Sequence, residues 1–471
     1  MPDARLFIAL LLTACIAFGA WPVAQRASSV FEHVNLVPMD SERVLSDAFL
    51  LVSSGTVLTF GSGEYKGTLP PGTVRIDGRG KFLIPALAEM HAHIPNDPAE
   101  AERVLFMYVA NGIGTIRSML GDPSHFRLRE RVQKGEIVGP TMILSGPSFS
   151  GATAPTPAAA TRRVADEKKA GYDFLKIHPG VPRSAFDALA AAADKASIRF
   201  AGHVPLEVGL QRALQAKYWT IDHLDGYMEA LAGPRGRDSE NFGVNLMSRI
   251  DESRIAALAA ETKAAGVWNV PTQSLLENWY GPDSPEAMQK RPEIEYVSRS
   301  ELRQWVETKR DNLTRYPSQD RARFIVVRRR LIKALQDAGA GLLLGSDAPQ
   351  VWNVPGFSIH RELETYVAAG LTPYQALATG TRNVAAHMGK LVRDCRSLSP
   401  DPLPVGAIDR LSECSDVFGT ISMLGTADLV LLDANPLENI ANTTRIAGVM
   451  TRGRWIPKAE IDRRLAELRP R

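Results

Sequence analysis

The sequence predicts an α/β fold whose main part is a (β/α)8 barrel, and three observations lead to this prediction. Short apolar or β-branched runs alternate with helical patterns through the middle of the chain, which is typical of βα units. Several of these runs end in a histidine, lysine or aspartate, and such barrels carry their active sites at the carboxyl ends of their strands. The 471 residues also exceed the roughly 250 of a typical barrel, which leaves room for an accessory domain.

The predicted elements follow from hydrophobic patterning. The barrel strands are predicted at residues 90–93, 114–117, 141–145, 173–178, 199–204, 220–224, 267–272 and 341–346. Helices are predicted at residues 182–196, 209–217, 253–265, 298–310 and 324–338. The last helix contains Arg328, Arg329 and Arg330, which we interpret as a solvated helix face rather than a phosphate site. The long stretch 274–320 is either a lid over the site or a purely structural excursion.

The N-terminus, residues 1–24, is predicted to be a secretory or lipoprotein signal. Arg5 precedes an apolar run over residues 6–12, and small residues follow. Cys15 ends a Leu-Thr-Ala-Cys sequence that resembles a bacterial lipobox, where the cysteine would be lipidated. Cleavage after Gly19 or Ala20 and an uncleaved anchor are the alternatives. Each of these predicts export, to the periplasm or to a membrane through the N-terminus.

Two further cysteines flank a Pro/Ser-rich stretch near the C-terminus, and we assign residues 391–419 to an insertion. In an exported protein Cys395 and Cys414 would form a disulfide that closes this loop. Two unrelated free thiols are the alternative.

The most informative motif is the pair His91 and His93. Strand side chains alternate with a period of two, so both imidazoles lie on one face and can bind the same divalent metal. Downstream, further residues of ligand type end successive strand-like runs. They are Lys176, His203, His223 and Asp347. Taken singly, each histidine is more often a packed or capping residue, and Lys176 a surface lysine; the joint order favours a metal site.

In this order of residues, the chain resembles the metal-dependent amidohydrolase superfamily, in particular its imidazolonepropionase-like and zinc-dependent dipeptidase (prolidase-like) branch. The resemblance covers nearly the whole chain after the first few dozen residues. It implies that the barrel occupies residues 85–390. It also implies that residues 30–84 and 420–460 join into one small composite β-sandwich beside the barrel.

The resemblance further implies two zinc ions per chain, with another divalent metal as the alternative. His91, His93 and Asp347 would hold one ion, and His203 and His223 the second. Lys176, carbamylated by CO2, would bridge the ions, since a free ammonium has no lone pair to offer. Water between the ions would have a lowered pKa and act as the nucleophile. Asp347 would be the proton shuttle, first as base and then as acid.

Several neighbours of these ligands are candidates for other roles. His178 would polarise the substrate carbonyl, bind a substrate carboxylate or orient the metal ligands through contacts with their side chains. Tyr227 is a candidate for stabilising the oxyanion, with loop packing as the alternative. Asp222 and Glu89 would orient ligand imidazoles. His360 is a weaker candidate for substrate contact.

These observations predict an exported metal-dependent hydrolase that cleaves the amide C–N bond of a dipeptide, an N-acyl amino acid or a cyclic amide. Lactone or phosphotriester hydrolysis at the same site is one alternative, and a non-catalytic exported metal-binding protein is another. The net charge of +3 is too small to suggest a nucleic-acid partner. The expected partner is a small-molecule substrate, and homo-oligomerisation stays open. A Rossmann-type redox enzyme is disfavoured, because no G-x-G-x-x-G opens a βα unit.

Overall fold

The computed structural model describes residues 28–389 and 418–470. The predicted signal, Cys15, Cys395 and Cys414 lie outside the described residues. Within the described ranges, every helix is too short or too polar to span a bilayer. The strands, numbered β1 to β15 in chain order, are Ser29–Leu36, Leu45–Ser53, Thr56–Ser62, Val74–Asp77, Phe82–Pro85, Leu87–Ala92, Ile113–Ser118, Thr141–Leu144, Phe174–Ile177, Arg199–Gly202, Thr220–Asp222, Trp268–Val270, Leu429–Leu432, Ile446–Thr451 and Arg454–Pro457.

Helices separate most of the parallel strands. Helices α1 to α15 are Pro98–Ala110, Ser124–Lys134, Pro157–Ala170, Arg183–Lys195, Gly209–Gln215, Tyr227–Ala232, Ile255–Ala265, Gln273–Tyr280, Pro285–Met288, Arg299–Arg315, Ser318–Ala338, Phe357–Ala368, Pro373–Thr379, Arg382–His387 and Lys458–Glu467. Short 3₁₀ helices include Gly233–Asp238, Asn241–Arg249, Glu252–Arg254, Pro292–Tyr296 and Ile440–Thr444. The mixed α/β class predicted from the alternation of patterns is therefore confirmed.

Seven of the eight predicted barrel strands correspond to β6–β12, and these run parallel in two sheets. One sheet has the order β6-β7-β8 and the other the order β12-β11-β10-β9. A parallel bridge between Ser145 and Phe174 connects β8 to β9. Helices follow most of these strands and cover them, so the strands are buried almost throughout.

The eighth predicted strand, at residues 341–346, forms isolated bridges rather than a regular strand. Leu342 pairs with Asn269 in β12 through a parallel bridge. On the other side, Met90 N in β6 donates to Leu344 O at 2.8 Å, and Asp347 N donates to His91 O at 2.9 Å. This segment therefore lies between the last and the first of the parallel strands.

Strands from both ends of the chain form one eight-stranded sheet, with the order β15-β14-β13-β5-β1-β2-β3 and β4 paired to β1. The two ends meet where β13 runs antiparallel to β5, with Val430 opposite Ile84. One hydrophobic core includes residues from both ends, such as Phe31, Leu431 and Met450. The joining of the terminal segments agrees with the resemblance, and a second layer that would make a sandwich stays a prediction.

The interpretation of the arginine run as a solvated face is wrong for Arg328. Helix α11 begins at Ser318 and packs on two sides, so that Arg328 is fully buried. Its guanidinium donates to Gln273 Oε1 at 2.9 Å, His223 O at 2.7 Å and Pro271 O at 2.8 Å. Burial lowers its pKa to about 10, and the side chain fixes the backbone beside a predicted metal ligand.

Candidate metal centre

The six predicted metal ligands lie together at the carboxyl ends of the parallel strands. His91 lies in β6, Lys176 in β9, and the other four follow the ends of strands or of the segment before residue 347. The rings of His91 and His223 have centroids 4.6 Å apart, and those of His203 and His223 are 4.5 Å apart. Lys176 Nζ lies 3.5 Å from His91 Nε2. Residues predicted from their order in the sequence are therefore close in space.

His91, His93 and Asp347 form the tightest group. Their potential ligand atoms all lie within 4.8 Å of one another. His93 Nε2 is 2.7 Å from Asp347 Oδ1, and His91 Nε2 is 3.5 Å from the same oxygen. Asp347 has a left-handed backbone conformation with a φ of 65°, which is uncommon away from glycine. The geometry suits one divalent ion held by two imidazoles and a carboxylate.

Three histidines, of which His91 and His223 are buried and His203 is half-buried, have oxygens close to their outer nitrogens. The Nδ1 contacts, each 2.8 Å long, are His91 with Asp222 Oδ2, His203 with Asp225 Oδ2, and His223 with Thr272 Oγ1. Metal-binding imidazoles are commonly held in this way, with the other nitrogen left for the metal. His223 Nε2 is buried and has no hydrogen-bond partner among the described residues. The donor set therefore fits divalent metal ions.

Burial also sets the protonation states that metal binding requires. It lowers the pKa of His203 to about 3, and it lowers the pKa values of His91 and His223 well below the usual value. These imidazoles are therefore neutral at neutral pH and keep a lone pair for a metal. Burial lowers the pKa of Lys176 as well, which favours the unprotonated amine.

Asp222 and Glu89 support the ligands in different ways. Asp222 faces the imidazole of His91, with its Oδ2 2.8 Å from Nδ1, in the position predicted for a residue that orients this ring. Glu89 instead holds backbone: it accepts from His91 N at 3.0 Å, Ser346 N at 2.8 Å and Ser346 Oγ at 2.6 Å. Burial raises the pKa of Glu89 to about 8. The prediction that Glu89 orients an imidazole is wrong, since its contacts link β6 to the segment that precedes Asp347.

His178 faces the same cleft as the ligands. Its ring packs edge-on against His203, with the centroids 5.1 Å apart. Burial lowers its pKa to about 3, so its imidazole is neutral and carries one N–H donor. This placement agrees with a role in substrate contact.

Tyr227 and His360 lie elsewhere. Tyr227 is the first residue of α6, fully buried, and its hydroxyl is 2.8 Å from Thr262 Oγ1 in α7. The contact favours the packing interpretation of Tyr227 over the oxyanion role. His360 Nδ1 is 3.0 Å from Thr443 Oγ1, in a buried contact with the C-terminal segment. The suggestion that His360 touches substrate is therefore wrong.

A cleft of about 400 Å³ opens over the candidate metal ligands. Its floor is polar and its wall largely apolar. The wall consists of Leu120, Phe242, Leu275, Trp279, Pro349 and Gln350. Trp279 comes from α8, so the stretch 274–320 supplies part of the wall. Phe242 was not predicted from the sequence; the one signal for it is its position between Asn241 and Gly243, residue types that accept left-handed backbone.

No family model and no curated protein matches the sequence. Solved structures do match. The chain is similar to a bottromycin amidohydrolase, with a TM-score of 0.68, 22% identity, and coverage of 95% of this chain and 92% of the other. A Xaa-Pro dipeptidase with bound methionine has a TM-score of 0.62 and 16% identity, with coverage of 92% of this chain and 100% of the other. An A. niger ochratoxinase has a TM-score of 0.59 and 16% identity, with coverage of 92% of this chain and 96% of the other. The chain therefore has the same fold as these amidohydrolase and dipeptidase structures, which agrees with the resemblance seen in the sequence.

Proposed function

We propose that this protein is a metal-dependent hydrolase that cleaves an amide C–N bond in a small molecule. The observation that carries the proposal is that six ligand-type side chains from five segment ends lie together: five of them line one cleft with an apolar wall, and the sixth, His223, lies next to His203. Solved structures of the same fold include an amidohydrolase and a dipeptidase, which supports this reaction over others.

The donor set suggests how two divalent ions, most simply zinc, would be held. One ion would be bound by His91, His93 and Asp347, and a second by His203 and His223, with carbamylated Lys176 between them. Bound ions would supply Lewis acidity to the scissile carbonyl and to water. Carbamylation forms an N–C bond between Lys176 Nζ and CO2 and releases a proton, so it requires the neutral amine that burial favours.

We assign the proton transfers to Asp347. Its Oδ1 is close to His93, which leaves Oδ2, 3.8 Å from His223 Nδ1, to take a proton from water and return it to the leaving amine. His178 would use its single N–H to orient or polarise the substrate carbonyl from the same side of the cleft.

We also propose that the eight parallel segments close into a (β/α)8 barrel. Support comes from the bridge that joins β8 to β9 and from the pairing of Leu342 with Asn269. The bonds between β6 and residues 344–348 would complete the ring. This arrangement would explain why all the candidate ligands face one end.

The proposal is tested by metal analysis and a substrate panel. Protein kept from chelators should contain up to two divalent ions per chain and should hydrolyse amides faster than lactones or phosphotriesters. His203→Asn should lose metal and activity, whereas His33→Asn, a histidine paired with Asp47 and Glu64 in the terminal sheet, should keep both. Folded protein without metal would contradict the proposal, and preferred turnover of lactones or phosphotriesters would support that alternative.

A further inference from the structure

Three consecutive residues beside the cleft have left-handed backbone conformations. Asn241, Phe242 and Gly243 have φ values of 46°, 64° and 81°. A bulky residue with this conformation is uncommon, and it persists where the surroundings hold it in place. Because Phe242 lines the cleft, its conformation affects the shape of the cleft.

Contacts on both sides of Phe242 fix this turn. The side-chain amide of Asn241 donates to the hydroxyl of Tyr316, and Gly243 N donates to Glu240 O at 2.9 Å. The carboxylate of Glu240 pairs with Arg315 at 2.8 Å. The turn is therefore anchored to the end of α10, a helix of the long insertion.

The turn directs the ring of Phe242 over the candidate metal ligands. Its centroid is 5.5 Å from that of His223 and 6.5 Å from that of His203. On the other side it meets Trp279 edge-on, with the centroids 5.9 Å apart. Phe242 and Trp279 thus form an aromatic wall next to the place where a scissile bond would lie.

The same helix that anchors Phe242 also fixes Trp279. Lys309 in α10 is buried, and its Nζ donates to Asn278 O at 2.7 Å and Gly281 O at 2.8 Å, at the end of α8. Trp279 Nε1 donates to Val351 O at 3.3 Å. Both aromatic rings are therefore held in place before any ligand arrives, which lowers the entropic cost of binding against them.

The rest of the wall is also apolar. Leu120, Leu275 and Pro349 continue it, and Gln350 is its one polar member among the described residues. Apart from the histidines, the ionisable side chains that line the cleft in the described part of the chain, Lys176 and Asp347, both belong to the predicted ligand set. An uncharged apolar group of the substrate would thus pack against this wall without removing any charged group from water, which would be costly.

Phe242 also separates the cleft from a second cavity. This cavity, of about 280 Å³, shares only His203 and Phe242 with the lining of the cleft. Its lining also includes Asp225 and Leu206. Removing the ring of Phe242 would join the two spaces and lengthen the cleft.

We propose that Phe242 and Trp279 form a subsite for an aromatic group next to the scissile amide, and that Phe242 limits the size of that group. The inference rests on the proposed hydrolase function and narrows its substrate class to neutral amides with an aromatic substituent, rather than small dipeptides. Phe242 is a specificity-determining residue, since its ring packs near His203 and His223 and lines the cleft above them.

The proposal is tested by using calorimetry to measure the affinities of amide ligands for the metal-loaded protein. N-Benzylacetamide should bind roughly tenfold more tightly than N-propylacetamide, the scale of an aromatic contact, and more tightly than alanyl-alanine. Phe242→Ala and Phe242→Leu should abolish the preference while keeping the metal content. Phe126→Ala, which removes a half-buried ring packed on Tyr172, is the matched control and should keep the preference.

A larger probe tests the size limit. N-(2-Naphthylmethyl)acetamide should bind better to Phe242→Ala than to the wild type, because the second cavity becomes accessible. Equal binding of the benzyl and propyl amides by the wild type, or a preference retained in both Phe242 variants, would overturn the proposal. Amide turnover without aromatic preference would contradict this inference alone, whereas aromatic preference without turnover of any amide would contradict the proposed function alone.

Discussion

Asp347 combines a position next to two histidines with a backbone conformation that few aspartates adopt. Its amide donates to His91 O, so that the first and last parallel segments fix the direction of the carboxylate. One oxygen then lies beside His93 Nε2 while the other stays near His223. A carboxylate held in this way can bind a metal and still exchange a proton.

We therefore expect Asp347→Asn to lower turnover by about 10²-fold or more, the scale of general-base catalysis, because the amide keeps the shape and loses the basic oxygen. At least one metal ion should remain bound. Steady-state kinetics together with metal analysis check this prediction. Wild-type turnover in the variant would assign the proton transfer elsewhere, with His178 as the first residue to test.

Lys176→Ala should lose the second metal ion and most of the activity, because only a carbamylated amine could bridge two ions. Added formate or propionate should restore part of both. Metal analysis and kinetics with and without the carboxylate provide the measurement. Lys195→Ala, at the exposed end of α4, is the control. Two ions and near-normal turnover in Lys176→Ala would exclude a bridging role.

Asp222→Asn should weaken metal binding by about 10- to 100-fold, the usual effect of removing a carboxylate that orients a ligand imidazole. Its Oδ2 lies 2.8 Å from His91 Nδ1 in a fully buried pair. Competition with a chelator measures the affinity. Asp187→Asn, which breaks an exposed pair with Arg183 and a partly buried pair with Arg212, should leave the affinity unchanged. Equal affinities in both variants would rule out this role of Asp222.

At the residue scale, the sequence predicted which ligand-type side chains lie together but not the residues that line the rest of the cleft. His91 and Lys176 lie near the carboxyl ends of β6 and β9, Asp347 follows the last parallel segment, and parallel strands bring such ends together. Phe242 lies in an irregular turn whose direction depends on Tyr316 and Arg315, more than 70 positions away. Local patterning contains no information about such contacts, which is why this residue was missed.

At the scale of elements, the strands β6–β12 were predictable because their apolar runs are short and separated by helices. The predictions failed where a helix begins at an unexpected residue or where other elements cover a helix on more than one side. Tyr227 looked like a loop residue, yet α6 begins there and directs its ring towards Thr262. The pattern of α11 shows an exposed stripe at Arg330 but does not reveal that Arg328 is enclosed.

Arg328 leads to a prediction about stability. Arg328→Lys keeps the charge but loses the planar fork that reaches two carbonyls and one amide oxygen. The free energy of unfolding should fall by about 1–3 kcal/mol, because buried acceptors lose their donors. Urea unfolding of the variant measures this change. Arg330→Lys, exposed two positions later, should stay within about 0.5 kcal/mol of wild type; similar losses in both would contradict the prediction.

At the scale of the whole molecule, the class of fold was predictable from the alternation of patterns and the order of ligands. The single sheet built from both ends of the chain was implied by resemblance only, since each end is too small to reveal its partner. Val430 opposite Ile84 shows how far apart in sequence such partners are.

Export and the disulfide stay predictions, because Cys15, Cys395 and Cys414 lie outside the described residues. Protein isolated from its native host should have lost its apolar N-terminus or carry lipid on Cys15, and Cys395 should be bonded to Cys414. Intact-mass measurement with and without reduction and alkylation tests these claims. An unprocessed Met1 with two alkylatable thiols would contradict both.

The contact between His93 and Asp347 has a consequence for the order of events in the cell. The two residues are 254 positions apart in the sequence, and Glu89 ties their neighbouring segments together. A ribosome that has released residue 93 must still synthesise the whole middle of the chain before the pair can form. A metal site that includes both residues would therefore require synthesis at least as far as Asp347, followed by the long-range assembly that brings the pair together.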